Sequence, residues 1–103
     1  MQSFDPITGV TTSEYVVAAT LDHSLGAVLL IRNTHATATM YYKISIYFAD
    51  TDSALEHAFV AQTDLAAETT IDPVIITFPF AKMTVSVKQH SGAGTYQIDR
   101  MVY

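Results

Sequence analysis

Four histidines, His23, His35, His57 and His90, are the side chains of this 103-residue chain best suited to metal ligation or proton transfer. A strand-borne metal pair needs H-x-H and a helical one needs H-E-x-x-H, yet none of the four stands at i,i+2 or i,i+4 from another. A metal site would have to be assembled from distant loops; the alternative is four solvated loop histidines. The segment "DTDSALE" brings Asp50, Asp52 and Glu56 together, and alternating acids of this kind can hold Ca²⁺ through oxygen. It lacks the remaining ligands and the glycine of an EF-hand loop, and turn and cap chemistry accounts for the same residues. No serine lies in a G-x-S-x-G elbow, and the carboxylates Asp64 and Glu68 sit in a turn-like region. There is no cysteine, hence no thiolate chemistry and no disulfide framework. No catalytic, cofactor-binding or metal-binding residue is assigned, and the chain is expected not to be an enzyme.

"VKQHSGAGTYQI", residues 87–98, is the most glycine-rich stretch. A dinucleotide fingerprint needs G-x-G-x-x-G opening a helix, so that helix amides meet the phosphate, and a P-loop needs a Lys after its last glycine. Gly92 and Gly94 have neither a third glycine nor a following Lys, and strand patterns flank them. The stretch predicts a β-hairpin loop.

Tyr41 and Tyr47 are the more informative aromatics. They flank Lys43 and Ser45 on the polar parity of "TMYYKISIYFAD", where Met40, Tyr42, Ile44, Ile46 and Phe48 form the apolar parity. This alternation predicts a strand with one buried face. Tyrosines on the other face suit carbohydrate stacking or a protein interface, or they pair across strands with their hydroxyls wet. "KMTVSVKQ" repeats the alternation, with Met83, Val85 and Val87 inward.

Shorter β-rich runs cover residues 14–20, 26–33, 57–62, 73–78 and 94–103. "GAVLLIRN" is apolar at both parities, which places it centrally in a sheet or in an interface. In the last run the apolar set shifts from Tyr96 and Ile98 to Met101 and Tyr103, which a bulge near Arg100, or a terminus docked against another surface, would explain. Pro73 and Pro79 mark strand edges or turns. The one candidate helical turn is "TDSALEHAF". The reading is all-β: a single β-sandwich, jelly-roll or Ig-like, of seven to eight antiparallel strands with at most one short helical turn. Its expected core contains Val28, Leu30, Tyr42, Ile44, Ile46, Val85, Val87 and Ile98. Residues 1–13 lack a two-residue period and read as an N-terminal arm that is loosely held or packs outside the chain, the sandwich then occupying 14–103.

Bulk composition narrows the partners. Half of the residues are apolar and only 15% are charged, with a net charge of −5 and a mean hydropathy of +0.25. So charge-poor a surface is either Thr-rich and self-sufficient or partly covered by partners. The five basic residues, Arg32, Lys43, Lys82, Lys88 and Arg100, are scattered along the sequence, which argues against direct nucleic-acid binding. The longest apolar run, "GAVLLI", is too short to span a bilayer, and "MQSFDPITGV" lacks the regions of a signal peptide. Synthesis in a cytoplasm, with no membrane partner, is expected.

The chain from "VLLIRNTHATATMYYKISIYF" through "TDLAAETTIDPVI" to "FAKMTVSVKQHSGAGTYQI" resembles small accessory proteins of tailed-phage virions. The matching pieces are Leu30 to Thr34, Tyr42 to Ile44, Leu65 to Ala67 and Val85 to Lys88. Arg32 stands where a Lys is common, and the Tyr-rich third strand departs from the pattern. The resemblance implies a non-enzymatic β-sandwich of the virion that decorates or cements a capsid, or serves in a neck, tail or fibre. It implies copies of the chain itself, or a larger viral structural protein, as partners. Phe4, Pro6, Ile7, Tyr41, Tyr47, Met101 and Tyr103 are the expected interface residues, and an arm reaching a neighbouring subunit is part of that expectation. The rival reading is a carbohydrate-binding module that uses its exposed tyrosines.

Overall fold

The computed structural model of the chain describes residues 5–48, 56–90 and 94–102; for Asp5, His23 and Glu56 it describes the backbone. Among these residues there are eight strands and no helix: β1 (Asp5–Val10), β2 (Val16–Ser24), β3 (Ala27–Asn33), β4 (Met40–Tyr47), β5 (Glu56–Leu65), β6 (Val74–Ile76), β7 (Phe80–Gln89) and β8 (Thr95–Val102). They form two four-stranded antiparallel sheets, ordered β1-β8-β3-β6 and β2-β7-β4-β5. The chain alternates between sheets at nearly every step. Only β4 and β5 are consecutive in sequence and also paired.

One buried apolar cluster draws on both sheets. Leu29, Ile31, Ile76, Tyr96 and Ile98 come from the first; Leu21, Met40, Tyr42, Ile44, Ile46, Met83, Val85 and Val87 come from the second. The period-two patterns of β4 and β7 are the cause: each puts a β-branched or long apolar residue inward at every second position. Each fully buried aliphatic side chain contributes about 1.5–3 kcal/mol relative to exposure.

Four expectations are corrected. Val28 and Leu30 are half-buried on the outer face of β3, and the inward set is Ala27, Leu29, Ile31 and Asn33. Because β3 is apolar at both parities, alternation could not fix its register. The inward Asn is tolerated because its polar atoms are all bonded. Second, β8 keeps an unbroken register with β3 from Asn33↔Tyr96 to Ala27↔Val102, so no bulge lies near Arg100. Register shifts occur instead at Val17/Ala19 in the β2–β7 pair and between Tyr42 and Ser45 in the β4–β5 pair. Third, β7 and β8 belong to different sheets, so the Gly-rich segment between them is a crossing and not a hairpin loop. Fourth, residues 5–10, expected as part of an arm, are β1, an edge strand on β8 from Asp5↔Arg100 to Val10↔Thr95.

Gly94 shows what the crossing requires. Its N–H donates to Thr11 Oγ1 at 2.9 Å and its carbonyl accepts from Thr11 N–H at 2.9 Å. A Cβ there would stand 3.2 Å from Thr11 Oγ1. Gly92 lies outside the described residues, as do residues 51–55 of the helical turn expected over 51–59; residues 56–59 of that stretch belong to strand β5 instead.

Asn33 ties the two sheets where they meet this end. Its Nδ2 donates to Ala38 O at 2.7 Å and to Leu65 O at 3.0 Å, while Oδ1 accepts from His35 N–H at 3.0 Å. With two carbonyls on one side and an N–H on the other, the amide fits one way round. Pro73 immediately precedes β6 and Pro79 immediately precedes β7, where no ladder donor is lost.

Candidate functional site: a lysine–tyrosine face

The outer face of β2-β7-β4-β5 gathers residues that the sequence keeps far apart. In the β4–β7 register Tyr41 opposes Lys88, Lys43 opposes Ser86, and Tyr47 opposes Lys82. All six are on the parity opposite to the core residues of their strands, as alternation requires. Lys82 Nζ lies 4.5 Å from the centre of the Tyr47 ring, and Lys88 Nζ lies 5.4 Å from that of Tyr41. The three lysines of the chain therefore share one face, although the five basic residues are dispersed in sequence.

Tyr15, just before β2, completes the arrangement and was not singled out by the sequence. Lys43 Nζ stands 4.3 Å and Lys88 Nζ 5.0 Å from its ring centre, both within cation–π range. Its hydroxyl donates to Gln62 Oε1 on β5 at 2.6 Å, so the ring links the start of β2 to β5 on the far edge of the sheet. Desolvation, and secondarily the neighbouring Tyr41, raise the Tyr15 phenol above its ordinary pKa of 10.0. His90 lies against Tyr41, with ring centres 4.7 Å apart and planes at 56°. The backbone N–H of Gln89 donates to Thr12 O and that of His90 to Thr39 O, which fixes this end of β7 beneath the two loops. Asp64 is the Cα partner of Tyr41 on the β5 side and bounds the cluster with a carboxylate.

The histidines are not brought together. His35 is half-buried, and its Nδ1 accepts from Thr37 N–H at 3.1 Å and Ala38 N–H at 3.0 Å, organising the β3–β4 loop. His57 is exposed on β5, and the backbone of His23 lies in β2, so two of the four are on strands and not in loops. Among the described residues no group of three His, Asp or Glu side chains could hold a metal ion. Asp50 and Asp52 lie outside those residues.

The expected interface residues separate as well. Tyr41 and Tyr47 are half-buried on the lysine face; Pro6 is exposed on the outer face of the other sheet, where Met101 is half-buried. Ile7, paired with Ile98, faces inward and packs on the core. Phe4 and Tyr103 lie outside the described residues. On that second outer face, Met101, Val28 and Ile75 form a cross-strand row over β8, β3 and β6, with Leu30 beside it. Ile75 is 59% exposed.

No protein-family model matches the sequence, and no curated protein matches it. Among solved structures, the Yersinia pseudotuberculosis-derived mitogen overlays 100% of this chain and 88% of its own, with a TM-score of 0.65 and 11% identity. PirA overlays 93% of both chains with a TM-score of 0.63 and 13% identity. A Bacillus endospore appendage protein, from a family of disulfide-linked pili, overlays 99% of this chain and 87% of its own, with a TM-score of 0.55 and 12% identity. Viral capsid proteins are also among the structural neighbours, as in the infectious bursal disease virus VP2 particle, with a TM-score of 0.49 over 32% of that chain. At these identities the likeness is one of fold.

Proposed function

We propose that this chain is a non-enzymatic structural subunit of a virion, of the capsid-decoration or head–tail accessory kind, which works by repeated contacts with copies of itself or with a larger structural protein. Its finer architecture is then a single jelly-roll sandwich. Eight strands alternating between two sheets support that, as does a short axis of 18 Å in a molecule of 37 × 34 × 18 Å. Two sheets at the usual spacing of ~10 Å, with outer side chains, fill such a thickness.

The observation that carries the assembly reading is the apolar outer face of β1-β8-β3-β6. Val28, Leu30, Met101 and the exposed Ile75 stand together on adjacent strands, where a monomer would ordinarily place polar residues. The appendage protein's place in pili is a parallel for a fold of this kind used as a building unit. Having no cysteine, this chain would associate without covalent links. Repetition then supplies avidity that a single shallow contact lacks.

Light scattering on a sizing column, for the wild type and Ile75→Asp, tests the reading. A discrete oligomer in the wild type and a folded monomer in Ile75→Asp are expected. A wild type that stays monomeric up to ~1 mM would overturn self-assembly through this face.

A further inference from the structure

The lysine–tyrosine face is chemically unlike the apolar face, and we infer that it is a binding site for an anionic saccharide, one carrying a sulfate or carboxylate group. Two ammonium groups, those of Lys43 and Lys88, converge within 5.0 Å of the centre of a single ring, Tyr15. Like charges so placed repel one another, and the ring quadrupole offsets this only in part. Among the described residues neither lysine has a carboxylate within ion-pair distance. A small anion seated between them would remove the repulsion and gain charge-assisted hydrogen bonds from both.

The surroundings suit a sugar. Tyr41 offers an aromatic surface for the C–H face of a pyranose ring, and Gln62, His90 and the Tyr15 hydroxyl supply hydrogen-bonding groups around it. Tyr15 is anchored through Gln62, so the ring and the two ammonium groups are set in place before a ligand arrives. Asp64, opposite Tyr41, confines the anionic group to the β7 side of that ring.

Two other occupants fit less well. A nucleic acid would extend beyond the lysines over the surface of a chain with net charge −5, whereas screening over about 8–10 Å lets a small anion respond to Lys43 and Lys88 alone. A protein partner would favour a face with an apolar centre and few lysines, which describes the other sheet and not this one.

The test is backbone-amide NMR titration of the full chain with a heparin-derived sulfated disaccharide. Its chemically desulfated and carboxyl-reduced counterpart, which carries no anionic group, and a ten-residue oligothymidylate are titrated separately. Shifts centred on Tyr41, Lys43 and Lys88 are expected, with the desulfated sugar and the Lys43→Gln/Lys88→Gln double variant each at least about tenfold weaker. Lys82→Gln, at the other end of the face, should stay within about twofold of wild type. The inference is overturned if no shift appears by ~10 mM, or if the desulfated sugar binds equally well. It is equally overturned if the double variant retains its affinity while its spectrum stays native, or if the oligothymidylate binds more tightly than the sulfated sugar.

Discussion

Replacing Asn33 with Ala should cost far more stability than the size of the side chain suggests. The amide is buried, with 1% of its surface exposed, and it holds three backbone groups: the carbonyls of Ala38 and Leu65 and the N–H of His35. Those groups lie in the β3–β4 loop and at the end of β5, so the one side chain connects the two sheets. An orphaned buried polar group costs about 1–3 kcal/mol. Entry of water recovers part of that for three groups, leaving a loss of about 3–5 kcal/mol. Against a total of about 5–15 kcal/mol for a domain of this size, the variant would be marginal. Its melting midpoint should fall by about 15–30 °C. Urea denaturation followed by circular dichroism measures the loss, with an unchanged m-value as the check that the fold is retained. Asn33→Asp isolates the donors. It keeps an acceptor for His35 N–H but turns oxygen towards two carbonyls, and it should be at least as damaging as Ala. The exposed Thr34–Thr95 hydroxyl pair, at 2.8 Å, is the control, and Thr34→Val should cost under about 1 kcal/mol. A loss below ~1 kcal/mol in Asn33→Ala, or a wild-type midpoint in Asn33→Asp, would refute the argument.

Gly9→Ala should destabilise by about 1–3 kcal/mol in the same assay, because its Cβ would stand 2.5 Å from Tyr96 Oη and 2.7 Å from Cζ, and Tyr96 is buried. Glu68, with φ at 58°, sits in the left-handed region, so Glu68→Gly should raise stability by about 0.5–1 kcal/mol; a clear loss would show that its side chain contributes more than its backbone costs. The Tyr15 phenol, raised chiefly by desolvation, should ionise above pH 10.0 in an ultraviolet titration, and a Tyr15→Phe difference spectrum identifies it. The unfolded chain gives up that proton first, so stability contributed here is intact below pH 10.0 and declines as pH rises past it; midpoints of wild type and Tyr15→Phe that fall in parallel over that range would refute it. Ile44→Asp places a carboxylate at a fully buried position and should give no cooperative unfolding transition; a native melting curve would contradict the core assignment.

Where the two faces of a strand differ in chemistry, the sequence reveals the structure directly. β4 and β7 alternate apolar with Tyr, Lys, Ser or Thr, and their inward residues were readable from that contrast alone. β3 offers no such contrast. Its register is set by the burial of Asn33, a residue whose place inside depends on partners 5 and 32 positions away. β1 was missed for a related reason: its inward positions are Ile7 and Gly9, and the second is empty because Tyr96 fills the space. A glycine-rich loop announces a change of direction but not the sheet to which the chain returns, so a crossing was read as a hairpin. The lysine–tyrosine face needed the β4–β7 register and the course of the loop before β2, neither of which a linear pattern contains. The tyrosines of β4 were legible; their lysine neighbours and Tyr15 were not.

The pairing of β8 between β1 and β3 has a consequence for synthesis. The strand nearest the C-terminus is internal to its sheet, with β1 and β3 hydrogen-bonded to its two sides. Until β8 has been made, β1 has no partner and one edge of β3 stays open, so this sheet cannot close before the eighth strand emerges. Folding must then close contacts between the first and the eighth strand, far apart in sequence, which makes it slow and leaves sticky strand edges uncovered meanwhile. The same geometry brings Asp5 opposite Arg100, so β8 could be joined to β1 by a short linker and the domain reopened elsewhere. Cut between β4 and β5, such a rearranged chain would emerge with β1 and β8 already consecutive, turning the slowest closure into a local one.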